Sequence, residues 1–370
     1  MSESKVVIDG RMVGPVPHGF SRYVSYLASG LSEFYAGGEL PYEPVFLVGQ
    51  EVPPVFRGLP VCKMESPFLH PAELVEIPRV LRSLKAALYH SPTFSSLLGA
   101  PCPWIATVHD LNHLAYGGWK QKAYYRYLLR PFLRKATRVL SVSEFSRREV
   151  ADWAGIPLDS INIVYNAIDP GLKLPLPNTA IEEALSRHGL KRGRYFLCLA
   201  NPKPHKNVEL LVKAYEGYRE KASPQKASND PWNLALSLNG VMGEGLRCLG
   251  AVSEGDGPLL LAGAGALVSP SLYEGFGLPP VEAAARGVPI LVSKIPPHEE
   301  GLSDLSADEA IWVEPRDLEG WVSALSRAAD GGLRRVAVST RSKILERFSP
   351  ERLAREMDRI YRGVLEEPRD

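Results

Sequence analysis

Cysteine is scarce: Cys62, Cys102, Cys198 and Cys248 are the only four in 370 residues, far apart and without a C-x-x-C pair. That spacing suggests neither a zinc site nor a disulfide framework, and buried free thiols in a reducing compartment are the expectation. Net charge is equally slight. Lys and Arg number 43 against 42 Asp and Glu, so no whole-molecule field marks a nucleic-acid binder. No apolar run approaches the roughly 18 residues that mark a membrane-spanning helix. The opening MSESKVVIDG enters a strand at once, leaving no room for a signal peptide. No Asp-x-Asp pair ends a candidate strand and no His, Cys or Asp cluster has ligand spacing, so no metal is expected. These absences fit a cytoplasmic protein, resting at most on a membrane surface.

What is present is a globular composition, 45% hydrophobic and 23% charged, with 32 Gly and 32 Pro that punctuate short apolar runs. The length suits two domains of ordinary size. Candidate strands are Val6–Asp9, Val45–Val48, Ala87–His90, Trp104–Val108, Arg138–Val142 and Ile161–Tyr165. A second series follows at Tyr195–Leu199, Leu234–Leu238, Leu246–Leu249, Ala266–Val268, Pro289–Val292 and Ala310–Val313. Strands alternating with helical patterns predict an α/β protein of two doubly wound parallel sheets. The proline-rich stretch Asp169–Asn178 reads as the linker, placing the domains at 1–170 and 171–348. Residues 349–365 read as a terminal helix: Ser349 caps it, and Leu353, Met357, Ile360, Tyr361 and Val364 share a face that could pack back on the first domain. Only Asn239–Gly245 separates Leu238 from Leu246, too little for a parallel crossover of about a dozen residues. A hairpin, or a run outside the main sheet, is expected there.

The richest segment is Ser269–Pro289, where a strand runs into a turn with Gly275 and Gly277 around Phe276, and a helix begins near Pro279–Pro280. Backbone N–H groups of such a turn converge with a helix N-terminus on a ready-made anion site. Glu274 precedes the turn and Glu282 lies one helical turn beyond it, so one carboxylate can face a reacting group while the other accepts from hydroxyls. The next segment, Leu199–Asn207, crowds Lys203, His205 and Lys206 at a strand's carboxyl end, where open sheets bind ligands. Point-charge lysines suit a diphosphate, and Asn207 reads as a helix N-cap. In the first half, Gly14–Tyr23 opens a helix after the first strand. His109 ends another strand, and Ser141–Ser146 and Tyr165–Asp169 are further strand ends with capping residues.

Together and in order, these segments resemble family 4 glycosyltransferases, over nearly the whole chain. Gly19-Phe-Ser-Arg-Tyr23 looks like the family's N-terminal glycine loop, and His109-Asp-Leu111, Val142–Ser146 and Asn166–Asp169 look like its next three signatures. Lys206-Asn207 matches its phosphate lysine, and Glu274 and Glu282, within Pro-Ser-Leu-Tyr-Glu-Gly-Phe-Gly-Leu-Pro, match its paired glutamates. The resemblance implies the GT-B fold, two facing Rossmann-like domains with a cleft between them, acceptor side first and nucleotide-sugar donor side second. It implies retaining transfer of a hexose of mannose or glucose type, from GDP-mannose or UDP-glucose, to a glycan or lipid-linked saccharide in polysaccharide or glycolipid synthesis. No metal or other cofactor is implied.

By the same resemblance, His109 and Glu274 contact the transferred sugar near the reacting centre. Gly19, Asn166, Asn201, Lys203 and Lys206, the amides of Phe276, Gly277 and Leu278, and Glu282 at the ribose bind the donor. The sequence departs from the pattern twice. Many members carry an arginine six residues before the phosphate lysine; here the stretch is a residue shorter and begins at Asn201, leaving Lys203 or His205 to supply the charge. A helix usual in the family is replaced by Asn239–Gly245. A non-catalytic sugar-nucleotide-binding partner of the same fold, or an epimerase, are the alternatives. Finally, Trp119–Arg138 carries Lys120, Lys122, Arg126, Arg130, Arg134, Lys135 and Arg138 among Trp119, Tyr124, Tyr125, Tyr127 and Phe132 with no acid, a composition suited to an anionic membrane.

Overall fold

Each apolar run expected to be a strand forms one, and all the strands pair in parallel. The computed structural model describes residues 4–14, 19–95, 97, 99–222, 231–253 and 255–367. The chain divides into two units, Met1–Asp169 with Phe348–Asp370, and Pro170–Arg347.

The first unit holds β1 (Ser4–Asp9), β2 (Tyr42–Val48), β3 (Val61–Lys63), β4 (Ala86–Ser91), β5 (Trp104–Val108), β6 (Arg138–Ser141) and β7 (Ile161–Ile163), in the order β3-β2-β1-β4-β5-β6-β7. Alternation along β1 sends Val6 and Ile8 to one face and Val7 to the other, and each face has its own core. The first face is covered by the helix Gly19–Ala36 and by the terminal helix Pro350–Glu366. Ser349 caps that terminal helix, its Oγ accepting from the Arg352 N–H at 3.1 Å. Leu353, Ala354, Met357, Tyr361 and Val364 are buried, with Ile360 packed at the margin. Gly30 permits the close approach: a Cβ there would lie 2.5 Å from Ala354 Cβ and 2.8 Å from the Pro350 carbonyl. Tyr361 carries its hydroxyl to 2.6 Å from His90 Nδ1, while His90 Nε2 lies 2.9 Å from Thr107 Oγ1. Burial pushes this imidazole down to about 3.

The second unit holds β8 (Tyr195–Cys198), β9 (Asn233–Leu236), β10 (Leu246–Cys248), β11 (Ala266–Ser269), β12 (Ile290–Ser293) and β13 (Ala310–Val313), in the order β10-β9-β8-β11-β12-β13. Both units thus reverse strand order beside their first strand, between β1 and β4 and between β8 and β11. Ligands bind open α/β sheets outside the strand carboxyl ends at such a reversal.

Two expectations about strands are corrected. The pair β9 and β10 is neither a hairpin nor split between sheets; it is parallel. Because β10 is a three-residue edge strand, the return path is only about 10 Å, and residues 237–245 cover it without a helix, turning at Gly240 and Gly245, both at positive φ. The edge strand β3 was not expected at all: two of its three residues are exposed, so it shows no apolar run. The four thiols are free, but only Cys198 is buried, and Cys248 is exposed.

Candidate functional site

In the second unit the loops after β8 and β11 flank the strand reversal, which brings Lys206 and Glu274 together. Lys206 Nζ donates to Glu274 Oε1 at 2.6 Å, and Ser271 Oγ donates to the same oxygen at 2.7 Å. The two loops are tied by the Leu272 N–H donating to the His205 carbonyl at 2.7 Å, and by Asn207 Nδ2 donating to Pro270 O and Pro315 O. Asn207 therefore does not cap its helix with its side chain, contrary to expectation. It sits at φ 54°, ψ 31° and spends its amide on the neighbouring loops. Burial would raise the Glu274 carboxyl, but the charge of Lys206 and the hydrogen bonds from Lys206 and Ser271 outweigh it and hold the group below its ordinary value.

His298 was not anticipated. It lies beyond β12 in the short helix Pro296–Gly301 and is buried. Its Nδ1–H donates to the Ser293 carbonyl at 2.9 Å, leaving Nε2 buried with no partner among the described residues. Burial lowers its pKa against the pull of Glu274, so the ring is neutral near pH 7. It packs on Gly277, whose φ of 91° and lack of a side chain are both required: a Cβ would lie 2.7 Å from His298 Cδ2.

Gly277 precedes the helix Leu278–Arg286, which has no side-chain cap. Pro279 and Pro280 carry no N–H, so the unsatisfied first-turn donors are concentrated on the turn at Gly277 and Leu278. Phe276 is buried beneath it, and Glu282, in the same helix, is 9% exposed. A cavity of about 990 Å³ opens at the carboxyl ends of β8 and β9, lined by Asn201, Lys203, Asn207, Ser237 and Asn239 among others. Of the two groups expected to replace the usual arginine, Lys203 is exposed at this cavity whereas His205 is buried.

In the first unit His109 follows β5, and Nε2–H donates to the Pro92 carbonyl beyond β4 at 2.9 Å. Phe20 and Tyr23, from the helix that Gly19 opens, pack against the imidazole at 4.8 Å between centroids, Phe20 tilted and Tyr23 edge-on. Asn166 is buried beside it. Burial pushes His109 down to about 4, against the opposing effects of Pro92 and Asn166. The part of the glycine-rich loop at 15–18 lies outside the described residues. Ser143 caps the helix Glu144–Ala154, and Ser146 Oγ donates to the His109 carbonyl at 3.0 Å. In the stretch 119–138 three of the basic residues have partners within the protein. Arg130 and Arg134 donate to the Ala154 carbonyl, and Arg138 pairs with Glu367. Among the described residues no group of three or more His, Cys, Asp or Glu side chains is placed to hold a metal ion.

Residues 19–172 match the model of Glycosyltransferase Family 4 and residues 181–344 that of Glycosyl transferases group 1. The chain is 29% identical over 234 residues to the O-antigen chain mannosyltransferase RfbU of Salmonella typhimurium, covering 59% of this chain and 59% of that protein. It is 28% identical over 298 residues to O-antigen chain mannosyltransferase B of Escherichia coli, covering 76% of each. The fold is similar to that of Anabaena HepE in complex with UDP-glucose, at a TM-score of 0.71, 16% identity, and 97% and 99% coverage. With two parallel Rossmann-like units and these matches along most of its length, the chain belongs to the family 4 glycosyltransferases and has the GT-B fold.

Proposed function

We propose that the protein transfers a hexose, mannose in the first instance, from a nucleotide diphosphate sugar to a growing glycan or lipid-linked saccharide, with retention at the anomeric carbon and without a metal. The observation that carries this reading is the pairing of Lys206 with Glu274 beside the Gly277 turn. The nucleoside lies along the cavity with Asn201 and Lys203, and Glu282 accepts from the ribose hydroxyls. Lys206 and the Gly277 and Leu278 amides face the diphosphate, so charge that develops on the leaving group meets fixed donors. Glu274 Oε2, used by neither Lys206 nor Ser271, accepts from a sugar hydroxyl. In the first unit His109, neutral and held by Pro92, is a proposed sugar contact, together with Gly19 and Asn166. The leaving phosphate takes the acceptor's proton. Mannose is favoured because both relatives named above are mannosyltransferases.

The acceptor reading extends to the cytoplasmic face of a membrane. Trp119 and Tyr127 are 76% and 69% exposed, with Lys120 and Arg126 over their rings, and Lys122 is exposed nearby. Each basic residue near an anionic surface contributes about 1 kcal/mol. Flotation with anionic but not neutral vesicles is expected at low salt; equal recovery with both removes this part. The central test is a thermal-shift screen against GDP, UDP, ADP and their sugars, since a ligand of the folded state raises its stability. It is followed by transfer from the stabilising donor with and without EDTA. Failure of every nucleotide to stabilise the protein overturns the reading, as does epimer formation without acceptor. Loss of transfer in EDTA overturns its metal-free part.

A further inference from the structure

A second cavity, of about 420 Å³, lies in the unit Pro170–Arg347 and is lined by Arg192, Arg286, Arg335 and Arg341 together with Pro175, Ile181 and other residues. Its place in the fold separates it from Lys206 and Glu274. The helix Leu278–Arg286 starts at the carboxyl end of β11 and runs back, so Arg286 and Gly287 stand at the amino edge of the sheet. Ala262, also lining the cavity, ends the helix that leads into β11. The cavity is thus at the opposite end of the strands from the Lys206 loop.

Each guanidinium is anchored by a neutral group. Arg286 Nη1 donates to the Leu174 carbonyl at 2.7 Å, Arg335 Nη2 to Ala262 O at 3.2 Å, and Arg341 Nε to Ala285 O at 3.1 Å. Arg192 Nη1 donates to Asn178 Oδ1 at 2.9 Å. Arginines at helix carboxyl ends satisfy terminal carbonyls, which accounts for where Arg335 and Arg341 sit. It does not account for their number. Among the described residues Glu182, 3.6 Å from Arg192, is the carboxylate that pairs with Arg192, Arg335 or Arg341, and Asp308 pairs instead with neighbouring Arg334. The crowding has a cost: burial, Arg192 and Arg341 all depress the basicity of Arg335. A guanidinium has five N–H donors in a fork, so in Arg192, Arg335 and Arg341 anchoring by one or two leaves others for a ligand.

We propose that this arginine-lined cavity is a second anion site of the protein, one that takes a small phosphate-bearing molecule and is independent of the proposed donor site. The fork geometry matches phosphate oxygens in pairs, and it favours a phosphate over a monocarboxylate because more oxygens can be shared among the four arginines. The volume falls within the range of about 300–1,000 Å³ that holds small molecules, so a phosphorylated sugar fits as well as free phosphate.

Equilibrium dialysis with radiolabelled inorganic phosphate tests this, at ionic strength held constant with sodium chloride. Phosphate can also meet Lys206, so the comparison is made in the Lys206→Ala protein and repeated in the wild type. Lys206→Ala is expected to keep a phosphate site, and adding Arg192→Gln with Arg335→Gln to weaken it by about tenfold or more, as befits lost charge-assisted bonds. Both arginines are exposed, and circular dichroism checks that the fold survives. Arg335→Lys, keeping charge without the fork, is expected to fall between. A parallel arm with a hexose phosphate separates the sources: tighter binding than inorganic phosphate identifies a sugar phosphate, and equal binding identifies the free anion. The proposal is overturned if Lys206→Ala binds no phosphate at millimolar concentration, or if the added arginine substitutions leave its affinity unchanged. Neither result bears on donor binding, which the nucleotide screen reads.

Discussion

His109 and His298 occupy corresponding places in the two units, each beyond the fifth strand of its own sheet, β5 and β12. Each gives one ring N–H to a backbone carbonyl, Pro92 O or Ser293 O, and each is buried and held neutral. Their neighbours differ entirely. His109 is packed by Phe20, Tyr23 and the Asn166 amide, without a formal charge among them. His298 stands beside Glu274 and, through it, Lys206, on a turn of backbone donors. One scaffold position has been given an apolar, hydrogen-bonding setting in the first unit and an ionic one in the second. The first suits the faces and hydroxyls of a sugar, the second a diphosphate.

The comparison breaks most sharply at Lys206. Lys206→Ala should lower kcat/KM for the nucleotide sugar by roughly 10²–10³, the scale seen when one preorganised donor to a developing anion is lost. It also strands Glu274 without its partner. Steady-state transfer with calorimetric titration of the nucleotide reads both effects. An unchanged nucleotide affinity would mean that charge in the second unit serves structure alone.

Acid tests the burial of histidine in the first unit. An unfolded histidine titrates near 6.5, whereas folded His109 and His90 titrate near 4 and 3. Between those values the unfolded chain binds protons that the folded chain refuses. Stability is therefore full above about pH 6.5 and falls as pH drops towards 4, by up to about 1.4 kcal/mol per pH unit for each group. Thermal unfolding between pH 7 and 5 measures it. A His90→Gln protein should lose part of the dependence, and an unaltered slope would contradict the burial argument.

His109→Ala should reduce turnover by about ten- to a hundredfold while leaving donor affinity nearly unchanged, since a residue that acts mainly in the transition state shows in kcat rather than in binding. The His298→Ala protein should lose donor affinity instead, because the turn it supports loses its packing. Single-turnover rates and titrations on both proteins give the contrast. The same change in both would erase the distinction drawn between the two settings.

Much of this was legible in the sequence, for physical reasons. A central parallel strand is buried on both faces, so runs such as Tyr195–Cys198 and Ile290–Ser293 read as strands without ambiguity. Lys206 and Glu274 each lie in a strand-to-helix turn marked by glycine, proline or charge. What stayed hidden depends on partners distant in sequence. His298 lies past the end of β12 among prolines, with no pattern to show that its ring would roof Gly277. The parallel pairing of β10 with β9 is a matter of path, to which hydrophobic pattern is blind. Asn207 reads as a cap until the Pro270 and Pro315 carbonyls come within its reach. Arg192, Arg286, Arg335 and Arg341 come from separate segments and share nothing along the chain.

Gly277→Ala is the smallest change and separates two causes that coincide at one residue. A φ of 91° disfavours any side chain, at roughly 1–2 kcal/mol for a left-handed conformation. The added methyl also meets the His298 ring, which cannot swing aside without giving up its bond to Ser293. If the backbone term dominates, Gly277→Ala lowers the Tm equally in the wild-type and His298→Ala backgrounds. If the ring contact dominates, the double variant is less unstable than the sum of the singles, and nucleotide affinity recovers with it. The 2.7 Å approach of that methyl to Cδ2 predicts a coupling of about 0.5–1 kcal/mol between the two substitutions. Strict additivity would show that the charged unit's histidine does not hold the turn, and that its likeness to His109 is one of position only.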